Sequence, residues 1–158
     1  MKISFLVTII ALMIICCTKK GEPSKQGELL KIEQIGKLSV DRSMNGKLVT
    51  IEGYVGFCNN SMFVQLGKKN KMSIYRDGLC KGEKLADAEI EISGNSIPLS
   101  GDKPRNYASF PDEKNLTDES LMFMTDDYQE IPNGNLKFSG RIVYQGDGYY
   151  LENVTIHK

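Results

Sequence analysis

The stretch Gly46-Lys47-Leu48-Val49-Thr50-Ile51-Glu52-Gly53-Tyr54-Val55 governs how the rest of the chain is read. Val49, Ile51, Val55 and Phe57 fall on one face and Thr50, Glu52 and Tyr54 on the other, the period of two that a half-buried strand requires. Gly53 interrupts the run, where a bulge or a sharp coil is expected. A similar arrangement returns at Gly134-Asn135-Leu136-Lys137-Phe138-Ser139-Gly140-Arg141-Ile142-Val143, with one residue fewer between the leucine and the inner glycine. Each stretch predicts a long strand with a glycine inside it, followed by a turn and a second strand.

Working outward, Met62, Val64 and Leu66 alternate with Phe63 and Gln65, and Met72 and Ile74 alternate with Ser73 and Tyr75. With turns at Asn59-Asn60 and at Gly67 to Asn70, residues 49–75 read as a three-stranded antiparallel meander. One or two short strands follow in 88–99 (Ile90 and Ile92; Ile97 and Leu99), then a Pro/Asp/Asn-rich segment over 100–134. The chain closes with Leu136 to Tyr144, a Gln145-Gly146-Asp147-Gly148 turn, and a last strand from Tyr149 to His157. Before all of this, Leu29, Leu30, Ile32, Ile35 and Leu38 have a loosely helical spacing that ends at the Asn45-Gly46 turn signal.

Strongly coiled strands with an inner glycine are what a small closed barrel needs, because one strand must pair with both halves of the sheet. Residues 46–158 therefore resemble the OB-fold, and more narrowly the exported OB domains likened to tRNA-anticodon-binding domains. The expected fold is all-β: a five-stranded, OB-like antiparallel barrel with a short N-terminal helix and a long irregular insertion over 100–134. The resemblance implies a ligand face walled by the loops after strands one and four, here 57–61 and 145–148, with Tyr149 adjacent.

Twenty Lys plus Arg against twenty Asp plus Glu give zero formal net charge over 158 residues, which argues against a general nucleic-acid binder. Acids concentrate in 112–130, yet no D-x-[DN]-x-[DN]-G calcium loop is present, so a solvated loop is the simpler reading. With one His and no Trp, little material exists for a His-rich metal site, and no cofactor is implied.

The first 25 residues read as an address. Met1-Lys2 precede an almost unbroken apolar run from Ile3 to Ile15, then Cys16-Cys17 and a Lys/Gly/Pro/Ser-rich stretch. A charged start, a dozen apolar residues and a small-residue exit make a secretory signal, too short for a comfortable permanent span. Ile14-Ile15-Cys16-Cys17 resembles the lipobox of bacterial lipoproteins, with Cys17 as the residue to be lipidated. Against this stand a plain signal peptide with incidental cysteines, or a membrane anchor. The lipoprotein reading divides the chain into a signal peptide (1–16), a flexible tether (17–28) and an OB-like domain (29–158). It places the protein on the bacterial cell envelope, held to the membrane by acyl chains.

With Cys17 acylated, only Cys58 and Cys80 remain, and an exported chain is oxidised, so they are expected to form a disulfide. In a meander both would stand at one rim. A metal or redox role is weaker, because there is no C-x-x-C and His157 is the only further soft ligand.

Catalysis finds no frame: no nucleophile beside a base, no phosphate loop and no paired-carboxylate motif. What remains is binding. Tyr54, Phe63 and Tyr75 face away from the inferred core, and aromatics flanked by Arg76 and joined by Tyr149 suit a small ligand or an envelope protein partner. The competing reading is that 100–134 folds over this face to bury its own apolar residues, leaving a scaffold role. Cys17→Ser is expected to abolish labelling by radioactive fatty acid and to release the protein from membranes; persistent labelling would refute the lipobox assignment.

Overall fold

A computed structural model of the protein describes residues 24–58, 64–93, 104–112, 114 and 116–158. Among these residues nine strands are formed: β1 (Glu28–Leu29), β2 (Leu48–Gly56), β3 (Lys68–Tyr75), β4 (Lys84–Ser93), β5 (Tyr107–Ser109), β6 (Met122–Met124), β7 (Glu130–Pro132), β8 (Leu136–Gln145) and β9 (Gly148–His157). The α-helix α1 (Ile32–Lys37) precedes the main sheet and buries Ile35, and a 3₁₀ turn follows over Arg42–Met44. The expected small all-β barrel, with one short helix in front of it, is what the chain forms.

The barrel closes through β2–β3–β4–β9–β8 and back to β2. Four of these contacts are antiparallel, and β4 and β9 meet in parallel at Asp87–Tyr150 and Ala88–Leu151. Closure demands that β2 serve two neighbours. Its first part, Leu48–Gly53, pairs with β8, and its last part, Tyr54–Gly56, pairs with β3. The handover falls at Gly53. A Cβ there would lie 2.5 Å from the Tyr75 carbonyl oxygen and 2.8 Å from Ile74 Cγ2, so only hydrogen fits where the two strands cross. Gly140 marks the matching irregularity of β8, where the register with β9 shifts between Ser139 and Arg141. A Cβ at Gly140 would come within 3.0 Å of both Glu152 O and Leu151 Cβ.

Inward-facing side chains of all five strands fill the barrel. Ile51, Met72, Ile74, Ile92, Phe138, Ile142, Leu151 and Ile156 have no exposed surface. Removing each from water contributes about 1.5–3 kcal/mol, which sets the inward register of every strand.

Sequence expectations change around the start of β3. Residues 64–66 are not strand, and the second barrel strand begins at Lys68. Asn70, expected in a turn, is a strand residue whose buried side chain makes the turn instead: it accepts from Gln65 N and donates to the Gln65 and Lys68 carbonyls. Met62, Phe63, Ile97 and Leu99 lie outside the described residues.

The 100–134 insertion is also more regular than expected. It adds three short strands, β5 parallel to the end of β4, then β6 and β7 antiparallel. Its apolar side chains join the barrel core: Phe123 meets Phe138 edge-on with ring centres 6.0 Å apart, and Phe110 stacks on Phe57 at 6.4 Å. Asn133 Nδ2 donates to the Val55 and Asp118 carbonyls, both at 2.8 Å, tying the insertion to β2 beyond the point where β8 leaves it.

Cys58 and Cys80 are joined, with Cα atoms 5.3 Å apart. The reason differs from the one inferred from a meander. Cys80 sits in the loop between β3 and β4, and that loop folds back onto the end of β2, where Gly56 leaves room; a Cβ on Gly56 would be 2.8 Å from Cys80 Sγ.

Gly53→Ala is expected to destabilise the fold by at least about 3 kcal/mol in urea unfolding, because backbone must move to admit one methyl. Gly36→Ala, in α1 with open space around it, is the control and should stabilise by about 0.5–1 kcal/mol. In the same assay, loss of the disulfide should cost about 3 kcal/mol, the chain-entropy value for a loop of this length.

Candidate functional site

The outer face of the barrel is built from the residues that alternate with the core. On β3 these are Lys69, Lys71, Ser73 and Tyr75, since Met72 and Ile74 point inward. Across the β3–β4 ladder Lys71 stands opposite Glu89, and Ser73 opposite Asp87, while Tyr75 stands opposite Tyr54 of β2. On β9 the outward residue at this level is Tyr150, paired with Asp87 in the parallel seam.

Lys71, Asp87, Gln145, Gly148, Tyr149 and Tyr150 enclose a cleft of about 90 Å³ where the β8–β9 turn overhangs β3 and β4. The Lys71 ammonium lies 4.0 Å above the centre of the Tyr150 ring, a cation–π contact, and donates to Gln145 Oε1. Asp87 accepts from Ser73 Oγ at 2.8 Å and from Lys84 Nζ at 2.9 Å. The cleft thus sets a cation and an anion side by side on a rigid sheet, each already oriented. From it, Ser73 and then the half-buried Tyr75 and Tyr54 continue the outer face away from the turn.

The expected site residues separate in space. Tyr54 and Tyr75 are brought together as a cross-strand pair. Tyr149 is not with them: it shares the inward parity of Leu151, packs against the core beside Tyr144, and donates its hydroxyl to the Leu85 carbonyl at 2.5 Å. Burial pushes that phenol up to about 12, with lesser contributions from Tyr144, Asp87 and Glu83. Its hydroxyl is committed to holding the floor of the cleft. Arg76 is exposed and stands at the start of the Cys80 loop, 3.9 Å from Glu83, a surface pair worth little by itself. Phe63 lies outside the described residues. Lys71 was missed because the sequence reading began this strand at Met72, and Asp87 because it began the next one at residue 88. Carrying the alternation back to Lys69 and Lys71 would have found the cation.

A second concavity, about 240 Å³, lies between Gln26, Asp126, Asp127, His157 and Lys158. Asp126 is almost wholly buried and anchors several elements. It accepts from Ser24 Oγ at 2.9 Å, from the Ser24 backbone N–H and from Asn106 Nδ2 at 2.7 Å, with Arg105 Nε 3.5 Å away. Burial alone would raise this carboxyl, but those hydrogen bonds and the arginine outweigh it and hold it below the usual carboxylate value. His157 Nε2 lies 3.0 Å from Thr155 Oγ1, at the end of a polar row that runs across three strands. In that row Thr50 and Ser139 share a 2.7 Å hydroxyl contact, and Thr50 Oγ1 donates to the Gly27 carbonyl at 3.0 Å. Burial lowers the His157 pKa, against the pull of Asp126 and Asp127.

Cys58, Cys80 and Asp118 bring donor atoms within 4.8 Å of one another. The sulfurs are bonded to each other and offer no thiolate, so this group does not fit a metal. The Asp118 carboxylate serves the backbone instead, accepting from Phe57 N at 2.6 Å and from Cys58 N at 3.2 Å. No protein family, curated protein or solved structure matches this chain.

Because folding lowers the His157 pKa, the native state favours the neutral ring. That contribution is present above the unfolded value of 6.5 and is lost as pH falls through it toward the folded value. Melting temperature is expected to decline between pH 7 and 5, and His157→Gln should flatten that decline.

Proposed function

We propose that the protein is a non-enzymatic, lipid-anchored protein of the bacterial envelope that binds a partner segment or small polar ligand on the outer face of β3, β4 and β9. The observation that carries this reading is the Lys71–Asp87–Gln145–Tyr150 cleft. Its paired charges suit a ligand with both donors and acceptors, such as a peptide segment carrying an ion pair or a hydroxyl-rich small molecule. Tyr75 and Tyr54 extend the same face and offer ring surface for stacking.

Two features support the compartment and the mode. The Ile3–Ile15 apolar run ending at Cys16-Cys17 supports export with an acyl anchor on Cys17. The strand order of the barrel fits an OB-fold, whose ligands sit between the second and third strands under the loop joining the fourth and fifth, here the Gln145–Gly148 turn. The insertion turns Phe110 and Phe123 into the core and leaves Tyr54 and Tyr75 partly exposed, which favours binding over a sealed scaffold. Acids at 87, 89 and 91 on β4 oppose a phosphate backbone as the ligand.

The test is crosslinked capture from native envelopes with wild type and with Lys71→Ala/Tyr150→Ala, both confirmed folded by circular dichroism. The double variant is expected to lose captured material about tenfold or more, the effect of removing central contacts. Undiminished capture by the folded variant would assign the partner to another surface.

A further inference from the structure

The N-terminal segment does not swing free from the domain as far as residue 28. Ser24 is clasped to Asp126 through its backbone N–H and its hydroxyl. The Gly27 carbonyl accepts from Thr50, and a Cβ on Gly27 would meet Val49 backbone at 2.5 Å, so the segment lies flush on β2. Glu28 and Leu29 then pair with Val49 and Thr50 as β1. From Ser24 onward, therefore, the expected tether is held against the domain.

Where the clasp sits matters. Asp126 donates its backbone N–H to the Ile156 carbonyl at 2.8 Å, and Asn106 Oδ1 accepts from Ile156 N at 2.8 Å, so the clasp is fixed to the C-terminal end of β9. The Lys71–Tyr150 cleft is at the other end of that strand. Tyr150 and Ile156 stand opposite Val143 and Phe138 of β8, five residue steps apart, about 17 Å at the rise of a β-strand. Thr18 to Pro23, the only residues between Cys17 and Ser24, span at most about 25 Å however they are arranged, and a flexible chain of that length averages about 15 Å.

From these lengths and contacts we propose that the end of the barrel carrying Ser24, Gln26, Asp126, Asp127 and His157 faces the anchoring bilayer, and that the Lys71–Tyr150 cleft opens away from it. The inference rests on lipidation of Cys17. It deepens the functional reading by naming the partner class: a molecule approaching from the aqueous compartment, not a headgroup of the protein's own membrane. The clasp is a buried carboxylate holding two donors from one serine, so it keeps the departure point of the tether on one side of the domain while the anchor pulls on it.

The experiment uses the full lipidated protein in phosphatidylcholine vesicles containing a headgroup-level nitroxide quencher. A fluorophore is placed on a single introduced cysteine, at Asp127→Cys or at Asp147→Cys in the β8–β9 turn. Quenching at 127 is expected to exceed that at 147 by about twofold or more, and inserting twenty Gly/Ser residues before Pro23, which leaves the Ser24–Asp126 clasp in place, should erase the difference. Equal quenching at the two sites, or stronger quenching at 147, in protein whose Cys17 is shown by mass spectrometry to carry lipid overturns the orientation alone. Absence of lipid on Cys17 overturns the orientation together with the anchoring reading beneath it.

Discussion

One strand has to belong to two halves of a closed sheet, and the rest of the molecule follows from how β2 manages it. The ladder to β8 ends at Gly53 and the ladder to β3 begins at Tyr54, over a crossing too close for any side chain. Gly140 of β8 relieves a different crowding, against Glu152 and Leu151 where the register with β9 slips. A flat strand at either position would leave an open sheet with unpaired edges and a half-filled interior. Closure brings β4 alongside β9, and that parallel seam places Asp87 next to Tyr150 and lets the β8–β9 turn overhang Lys71. The cleft is thus a product of closure, assembled from residues far apart in the chain.

The insertion and the disulfide are secondary supports at the part of β2 that β8 abandons. Asp118 caps the Phe57 and Cys58 N–H groups, Asn133 takes the Val55 carbonyl, and Cys80 pins the β3–β4 loop over Gly56. Each satisfies or covers backbone that would otherwise be left without a partner where the sheet divides. Phe110 and Phe123 add apolar contact to the same region by packing on Phe57 and Phe138. At the far side of the barrel the Ser24–Asp126 clasp plays a comparable part for the N-terminal segment.

The barrel was legible because its signals are local. Alternation in 48–57 and 136–157 and the inner glycines are properties of a few adjacent residues, and they gave strands and closure alike. The cysteine pairing was legible by elimination, although the rim geometry behind it was not, because it depends on a loop folding back. The cleft was only partly visible. Tyr54 and Tyr75 follow from alternation, but Lys71 stands in a stretch, Gly67 to Asn70 and onward, whose polar composition reads as a turn until Asn70 is seen to build that turn with its side chain. Tyr149 was read as adjacent to the 145–148 turn, and that its hydroxyl reaches the Leu85 carbonyl shows only once β9 lies beside β4. Asp126 and Ser24, 102 residues apart, left no sequence signal at all.

The β4–β9 seam is where closure is completed and where the cleft forms. Nuclear Overhauser contacts across it test the account most directly. Parallel closure predicts interstrand contacts from Asp87 and Ala88 to Tyr150 and Leu151 in the wild-type protein, in the register in which Asp87 faces Tyr150. An experiment that finds those contacts missing, with the β4 amides exchanging as an open edge, would contradict the closed barrel and the cleft built on it.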